Sequence, residues 1–391
     1  MNSFFKNTQL LAMVASPIIA GAAQLEVRAV NRLPLARSSQ TLEIQAADLA
    51  PLKAKSLNLV HVRDAAGQEL TCQAIDTDCD ALRAFDAVIF QADFSASETK
   101  TFTVTVSEKQ IYAKEQYKAF GRFVRERFDD FAWENDRIAH RTYGLALETW
   151  KGEPLSSSTI DVWSKRTPRM VVNDWYLADD YHADHGEGAD FYSAGLSRGC
   201  GGSGLWAADR LWVSRNFISS NVLANGPIRV LFELEYAPFS VNGVEVGETK
   251  RISLDAGHQF DRFESRYHFG RSSGEIPNLT VAIGLKKVQG EKVEENAKDG
   301  WLSKWEKVEK GAGSQGLAVI TSPENFVKHL RDPLNELVLT KASGSQVAVY
   351  WAGFCWDKAG YFTDAEAWSR HVSEYAQGLA SPIEVRTRLS E

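Results

Sequence analysis

The chain has 391 residues, and its 44 Lys and Arg against 51 Asp and Glu give a formal charge of −7. The 44% hydrophobic and 24% charged content is that of a folded protein and excludes a wholly disordered chain. The acidic balance argues against a nucleic-acid partner, because nucleic-acid binders carry a basic surface. The 11 Trp, 11 Tyr and 20 Phe suit either a large β core or rings that stack on sugars.

Residues 1–23 have the pattern of a secretory signal peptide. Lys6 precedes an apolar stretch that ends in small residues at positions 20–23. Removing this segment deletes one lysine and no acid, so the formal charge moves from −7 to −8. No later stretch of the sequence reaches the roughly 18 apolar residues of a membrane span. We therefore expect a periplasmic or secreted protein without a membrane span, whose oligomeric state the sequence leaves open.

An exported protein can form disulfides, so its four cysteines are informative. Cys72 and Cys79 lie close together across an acidic turn, where a bridge and two free thiols are equally compatible with the spacing. Cys200 falls in a glycine-rich run and Cys355 in an apolar strand, and both are expected to be buried free thiols. Their spacing matches no zinc-binding pattern.

The turn between the first two cysteines carries Asp76, Asp78 and Asp80 at alternate positions. Calcium loops use this spacing to bring oxygens to one ion. The glycine that such a loop needs next is replaced by Ala81, which favours a solvated turn over a metal site.

Residues 24–112 read as short strands and predict a small N-terminal β-sandwich. Residues 101–106 alternate strictly, which places Phe102, Val104 and Val106 on one face. Residues 57–63 and 69–74 flank a turn at 64–68 and predict a hairpin.

Residues 113–391 read as longer strands that form a second, larger β domain. Strands are expected near 205–214, 228–236, 260–268, 279–285, 316–320 and 346–354, and 286–300 is expected to be an exposed loop. Glu233 and Glu235, and the row Arg262, Glu264, Arg266, lie on strand faces that could be solvent-facing or could line a polar groove. The best helix covers 363–378, with a capping box from Thr363 to Glu366, an apolar stripe, a C-terminal Gly378, and an exposed His371.

The densest polar stretch covers residues 173–192, followed by a glycine-rich run at 199–204. Its glycines predict loops, and the glycine-rich run could offer backbone N–H groups to an anion. Three interpretations stay open: an acid/base site without metal, a structural loop, or a divalent metal site. The acid/base site would use Tyr181, His182 and His185, and the metal ligands would be His182, Asp184, His185, Glu187 and Asp190.

A second cluster covers residues 133–144. On a strand, Ile138, His140 and Thr142 would share one face, and Arg137, Ala139, Arg141 and Tyr143 the other. The second face offers two cations and an aromatic ring, which suit a sugar that carries a carboxylate. A buried Glu–Arg network that holds the sheet is the alternative.

Several of these segments resemble a bacterial family known as domain of unknown function 4861. The resemblance rests on residues 134–137, 141–144 and 181–192, and residues 252–257 and 263–267 are similar to strands of galactose-mutarotase-like supersandwich proteins. It covers most of the mature chain. It implies a mostly β fold, with a large antiparallel supersandwich after the N-terminal sandwich, and sugar chemistry, with water elimination from unsaturated uronate oligosaccharides such as those from ulvan as the implied reaction.

Such an elimination needs a base, an acid and a cation beside the sugar carboxylate. We therefore expect catalysis by His182, Tyr181, His185 and Arg141, with no cofactor required. The remaining candidates are expected to bind an anionic oligosaccharide: Trp133, Glu134, Arg137, His140, Tyr143, Trp175, Asp190, Tyr192, Arg198 and Trp206. A polysaccharide lyase, an unsaturated-uronide hydrolase that uses Glu233 and Glu235, and a non-catalytic sugar-binding protein are the alternatives.

Overall fold

The computed structural model describes residues 23–78, 84–110, 116–152, 155, 157–270 and 278–390. The expected signal peptide, Cys79, Asp80 and Ala81 lie outside these ranges. Among the described residues no helix combines the length and the apolar character that crossing a bilayer requires.

The N-terminal region is built from two antiparallel sheets that enclose their own core. Its strands are β1 (Gln24–Val30), β2 (Arg37–Gln45), β3 (Val60–Arg63), β4 (Glu69–Leu70), β5 (Cys72–Ile75), β6 (Ala87–Phe94) and β7 (Thr99–Val106). The alternation around Phe102 is confirmed, since Phe102 and Val104 are buried against Val27 and Phe90. The hairpin around residues 64–68 is confirmed by the pairing of β3 with β4.

The following strands, apart from the last strand of the chain, form three sheets. The first sheet contains β8 (Ala119–Val124), β9 (Asp130–Asn135), β10 (Ala139–Thr142), β11 (Ile160–Lys165) and β12 (Gly188–Ala189). Next along the chain come β13 (Cys200–Ala207), β14 (Arg210–Trp212), β15 (Ser219–Ala224), β16 (Arg229–Val241), β17 (Val244–Asp255), β18 (Phe260–Phe269) and β19 (Thr280–Lys286). The last strands are β20 (Lys292–Asn296), β21 (Trp301–Lys307), β22 (Ser314–Thr321), β23 (Phe326–Arg331), β24 (Asn335–Lys341), β25 (Val347–Trp356) and β26 (Glu384–Ser390).

One long sheet of eight strands, in the order β15-β16-β17-β18-β25-β22-β21-β20, faces two sheets of five strands. The first of these is the β8–β12 sheet, and the second has the order β14-β13-β19-β24-β23. Their facing sides bury one apolar core that includes Phe131, Phe232, Phe263 and Ile283. The mostly β, sandwich-like fold expected from the sequence is confirmed. The chain returns at its end, because β26 pairs with β1 at the edge of the N-terminal sandwich.

The helices are α1 (Ala46–Leu49), α2 (Val172–Ala178) and α3 (Ala365–Ala380), and short 3-10 turns cover Ala50–Leu52, Leu57–Leu59, Arg125–Arg127, Leu145–Thr149, Glu309–Gly311 and Asp357–Ala359. Helix α3 packs its apolar stripe against the long sheet, with Trp368 stacked on Phe260. The predicted cap was wrong by one residue, since Asp364 accepts from the Ala367 amide at 2.9 Å. The helix also continues past Gly378, which packs against Arg37.

His371 is half-buried rather than exposed, because its ring packs between Phe260 and Phe362. Burial, followed by the charges of His258 and Arg137, lowers the pKa of His371 to about 4. The segment 286–300 is not a simple loop, because it contains β20, which pairs with β21.

The charged strand faces are ion-paired sheet surface. Glu264 accepts from Arg262 at 3.0 Å and lies 3.5 Å from Arg266, all on β18. Glu233 accepts from Arg251 of the neighbouring strand at 2.6 Å. These charges neutralise one another along the sheet. They therefore form an ion-paired surface and not a groove that would bind an anion.

The glycine-rich run is strand β13 rather than a loop. A Cβ on Gly202 would lie 2.4 Å from the Arg198 carbonyl oxygen, and one on Gly204 would lie 2.5 Å from the Trp212 carbonyl oxygen. Glycine is therefore required by close packing of backbones. The strand pairs with both β14 and β19, so its amides serve the sheet instead of an anion.

The three described cysteines, Cys72, Cys200 and Cys355, are buried free thiols. Burial raises the pKa of Cys72 to about 12 and raises those of Cys200 and Cys355 well above the ordinary value. This confirms the expectation for Cys200 and Cys355.

Candidate functional site

Strand β10 separates the predicted site residues into two groups. Arg141 and Tyr143, which directly follows the strand, lie on one side of the β8–β12 sheet. His140 lies on the other, where it packs on the core residues Trp133 and Phe354. The alternation expected from the sequence therefore places the residues on the correct faces. The role of the residues on each face depends on the side chains that they contact.

Arg141 is 2% exposed and lies at the centre of a buried network. Its Nε donates to Asp161 at 2.8 Å and its Nη2 to Asp190 at 2.9 Å, and the Tyr143 hydroxyl donates to Asp161 at 2.7 Å. We call Arg141, Tyr143, Asp161 and Asp190 the Arg141 cluster. Burial works to lower the pKa of Arg141, but Tyr143 and the two carboxylates outweigh it and raise the pKa well above its ordinary value.

This cluster corrects the expectation that Arg141 holds a substrate carboxylate. Its guanidinium is already bound by two carboxylates of the protein, and it is closed to solvent. Tyr143 is 1% exposed, and burial followed by Asp161 raises its pKa well above the ordinary value. The alternative, a buried ionic network that holds the sheet, is therefore correct, except that Arg141 pairs with aspartates instead of a glutamate.

Tyr181 and His182 lie at the outer end of this network, where Tyr181 is still buried, at 7% exposed, and His182 is the exposed residue. Helix α2 ends just before them, and Tyr181 stacks on Trp163 with ring centroids 5.1 Å apart. The Tyr181 oxygen accepts from Arg127 Nε at 2.8 Å and lies 3.5 Å from Arg141 Nη1. The His182 ring lies 4.6 Å from the Tyr181 ring, and its side chain is 57% exposed. A buried phenol and an exposed imidazole are thus adjacent, and the phenol oxygen lies beside two guanidiniums.

Asp190 holds His182 as well as Arg141. His182 Nδ1 lies 3.2 Å from the Asp190 carbonyl oxygen and 3.5 Å from its carboxylate. A histidine engaged through Nδ1 presents Nε2 for proton transfer. Residue 190, predicted to bind substrate, therefore orients the histidine.

Glu134 and Trp175 support this arrangement from the interior. Glu134 is fully buried and accepts from the Lys165 ammonium at 2.7 Å and from the Val171 and Val172 amides at 2.9 and 2.8 Å. Those amides begin helix α2, so Glu134 anchors the helix that leads to Tyr181 instead of contacting a sugar. Residues 173–176, expected in a loop, belong to this helix, and the half-buried Trp175 stacks on Trp163.

The loop acids do not gather as a metal site. Asp184 pairs with Arg166, Glu187 pairs with Arg169, and Asp190 pairs with Arg141. His185 is 73% exposed and pairs with Asp180 at 2.9 Å. Within the described ranges, the acids close enough to share a cation are Asp76, Asp78 and Asp86, of which the sequence pattern had identified the first two.

Trp133 and His140 belong to the core rather than to a sugar site. Both are fully buried and stack at 5.2 Å, and Asp261 accepts from the Trp133 indole at 2.8 Å. The other oxygen of Asp261 lies 2.9 Å from His140 Nε2. Neither ring can therefore serve as a platform.

The remaining predicted residues lie elsewhere. Arg137 stacks on Tyr361 with its guanidinium 4.1 Å from the ring centroid. Arg198 is 3% exposed, and burial lowers its pKa to about 10. Trp206 packs with Leu211 on the outer side of β13. Tyr192 lines a separate cavity.

Three residues near Tyr181 were missed from the sequence. Arg127 donates to Tyr181, and the partly exposed Phe128 and Trp150 stack with centroids 4.9 Å apart. Phe128 has φ +48°, a conformation that costs energy for a bulky residue. Asp161 was also missed, although an acid inside the apolar run 160–163 is a signal for a buried ion pair.

Comparison with known proteins identifies the family. The model of a family described as domain of unknown function, DUF4861, matches residues 30–385. This chain belongs to the DUF4861 family. It is 31% identical over 370 residues to "Uncharacterized protein P7" of Formosa agariphila, a match that covers 91% of each chain.

Two solved structures from Enterococcus faecalis share the fold of this DUF4861 protein. One is a protein in glycosyl hydrolase family 38, with a TM-score of 0.51, 10% identity, and coverage of 95% of this chain and 48% of that one. The other is an alpha-mannosidase, with a TM-score of 0.50, 9% identity, and coverage of 93% and 46%. The DUF4861 chain thus spans about half the length of these structures.

Proposed function

We propose that this protein is an exported, carbohydrate-active enzyme that eliminates water from unsaturated uronate-containing oligosaccharides, such as those from ulvan. The observation that carries the proposal is the Tyr181–His182 pair, in which a buried phenol beside Arg127 and Arg141 adjoins an exposed imidazole. Membership of DUF4861 and a fold shared with a protein named as an alpha-mannosidase support sugar as the substrate class.

The elimination breaks one C–H and one C–O bond, forms a C=C bond and releases water. One group removes the proton and another protonates the departing hydroxyl. Tyr181 and His182 supply these two functions. The Arg127 guanidinium lies where it would stabilise negative charge on the Tyr181 oxygen, and Arg141 positions Asp190 and thereby His182.

The test is mass spectrometry of 4,5-unsaturated uronate oligosaccharides before and after incubation with the full chain. A dehydratase lowers the mass by one water and leaves the chain length unchanged. Tyr181→Phe and His182→Gln should each lower kcat by about 10²–10⁴-fold. His185→Gln is the matched control, because the exposed His185 pairs with Asp180 outside the Tyr181–His182 pair.

A polysaccharide lyase is the second candidate, because β-elimination next to a carboxylate uses the same pair of groups. A lyase would shorten a saturated polymer and create the absorbance of a conjugated double bond. The hydrolase that uses Glu233 and Glu235 has less support, since Glu233 is bound by Arg251 and Glu235 by Ser219. Binding without any change in substrate mass would show a non-catalytic sugar-binding protein.

A further inference from the structure

A second polar feature lies at the far end of the segment that carries Tyr181 and His182. Residues 191 and 192 line a cavity of about 260 Å³ whose other walls come from β19, β21 and β22. We call it the Tyr192 cavity. It opens between the two layers of the large sandwich, next to the core that Tyr192 helps to fill.

The floor of the Tyr192 cavity carries two hydrogen-bonding groups for which the described part of the chain offers no partner. Tyr192 is 7% exposed, and its hydroxyl has no hydrogen-bond partner among the described residues. The nearby Lys286 amide is already bonded to the Gly199 carbonyl at 2.8 Å. Gln315 is 2% exposed and donates to Glu306 at 2.6 Å, while its Oε1 atom has no partner in the described part of the chain.

Glu306 adds a buried carboxyl to this floor. It is 4% exposed and lies 2.5 Å from the Lys304 ammonium. Burial raises the pKa of Glu306, and Lys304 and Gln315 oppose the rise only in part. Buried polar groups without partners are costly, so a site that keeps two of them, on Tyr192 and Gln315, next to a buried carboxyl is a candidate for ligand binding.

The rim of the cavity is positively charged. Lys286, Lys287 and Lys307 line it together with one acid, Glu309, which lies 3.3 Å from Lys286. Phe191 contributes a half-buried ring that packs on Trp356 at 5.5 Å. The cavity therefore has ammonium groups at its rim and the Phe191 ring in its wall. Its floor offers one hydrogen-bond donor, the Tyr192 hydroxyl, and two acceptors, Gln315 Oε1 and the Glu306 carboxyl.

We infer that the Tyr192 cavity binds a single sugar acid, a polyhydroxylated ring with one carboxylate. The hydroxyls of such a ring can donate to Gln315 and Glu306 and accept from Tyr192, while its carboxylate meets the rim lysines. A bare anion such as phosphate would be repelled by the acceptor atoms of the floor. A neutral sugar would gain nothing from the charge of the rim lysines, whose partners among the described residues include only one carboxylate, that of Glu309. The class of sugar rests on the proposed function, whereas the cavity and its polar atoms do not.

The experiment is a titration of the full chain with D-glucuronate, in which calorimetry or NMR measures binding. D-glucose and inorganic phosphate are the comparison ligands. We expect saturable binding of glucuronate, binding of glucose at least about tenfold weaker, and no displacement of glucuronate by phosphate. Tyr192→Phe and Lys286→Gln should each weaken glucuronate binding about fivefold or more. Lys298→Gln, which removes an exposed charge outside the cavity lining, is the matched control.

Thermal melts establish that each variant is folded, and Tyr192→Phe removes a single oxygen. The inference is overturned if glucuronate fails to saturate the wild type, if glucose binds equally well, if phosphate displaces glucuronate, or if folded Tyr192→Phe and Lys286→Gln bind normally. Glucuronate binding without any change in oligosaccharide mass would overturn the proposed function alone. Turnover without glucuronate binding would overturn this inference alone.

Discussion

The Arg141 cluster and the Tyr192 cavity are both buried and polar, and they differ in how their groups are satisfied. In the cluster, each carboxylate meets Arg141, and Tyr143 donates to Asp161. In the cavity, the Tyr192 hydroxyl and one oxygen of Gln315 have no partner among the described residues. A satisfied network stabilises the fold and leaves nothing for a ligand, whereas an unsatisfied one costs stability until a ligand supplies the missing partners.

The same comparison separates Arg141 from the surface pair that it supports. His182 is exposed at the outer end of the network and adjoins the buried Tyr181, whereas Arg141 is closed to solvent, so a substrate meets His182 and not Arg141. In the proposed reaction the Arg141 cluster positions His182, because Asp190 contacts both Arg141 and His182. Changes inside the cluster should appear first in stability, and changes in the cavity first in binding.

The largest expected effect is that of Arg141→Met. The change leaves Asp161 and Asp190 buried without their cation, so we expect the free energy of unfolding to fall by about 3–5 kcal/mol. Denaturant unfolding measures it. A fall below about 1 kcal/mol would show that the aspartates are compensated in another way and would remove the contrast with the cavity.

A matched pair of tyrosine variants compares the two regions directly. Tyr143→Phe removes a hydroxyl that donates to a buried carboxylate and should cost about 1.5–3 kcal/mol of unfolding free energy. Tyr192→Phe removes a hydroxyl without a partner in the described ranges and should change stability by less than about 1 kcal/mol. Equal costs, measured by the same denaturant titration, would contradict the distinction.

The difference between the regions also explains what the sequence could and could not predict. Alternation along 139–142 correctly separated Arg141 from His140, because the face of a strand residue follows from its position. The role of Arg141 did not follow, since it depends on Asp161 and Asp190, which come from distant parts of the chain. Arg127 was missed for the same reason, because its partner Tyr181 lies 54 residues further along the chain.

Arg198 provides a third comparison, with a smaller expected effect. It is as buried as Arg141, but its Nη2 donates only to the Leu196 carbonyl, at 3.4 Å, among the bonds that the structure describes. Burial lowers its pKa to about 10, whereas carboxylates raise that of Arg141. We expect Arg198→Met to shift the free energy of unfolding by less than about 1 kcal/mol, because no buried carboxylate loses its cation. A loss as large as that of Arg141→Met would show that burial alone governs both sites.

The smallest expected effect concerns the pH dependence that the Tyr192 cavity gives to stability. Burial raises the pKa of Glu306 above its ordinary value of 4.5, so the folded state holds this proton more tightly than the unfolded state does. The resulting stabilisation is fully present below pH 4.5 and is lost as the pH rises through the folded pKa. The free energy of unfolding of Glu306→Gln should therefore improve relative to the wild type as the pH rises across this range, whatever constant offset the lost contact with Lys304 adds. Lys298→Gln, which leaves every carboxyl in place, should run parallel to the wild type. If stability against pH for Glu306→Gln ran parallel to both, Glu306 would ionise in the folded cavity as readily as in the unfolded chain. Lys304 would then compensate the Glu306 carboxylate as fully as Arg141 compensates Asp161 and Asp190.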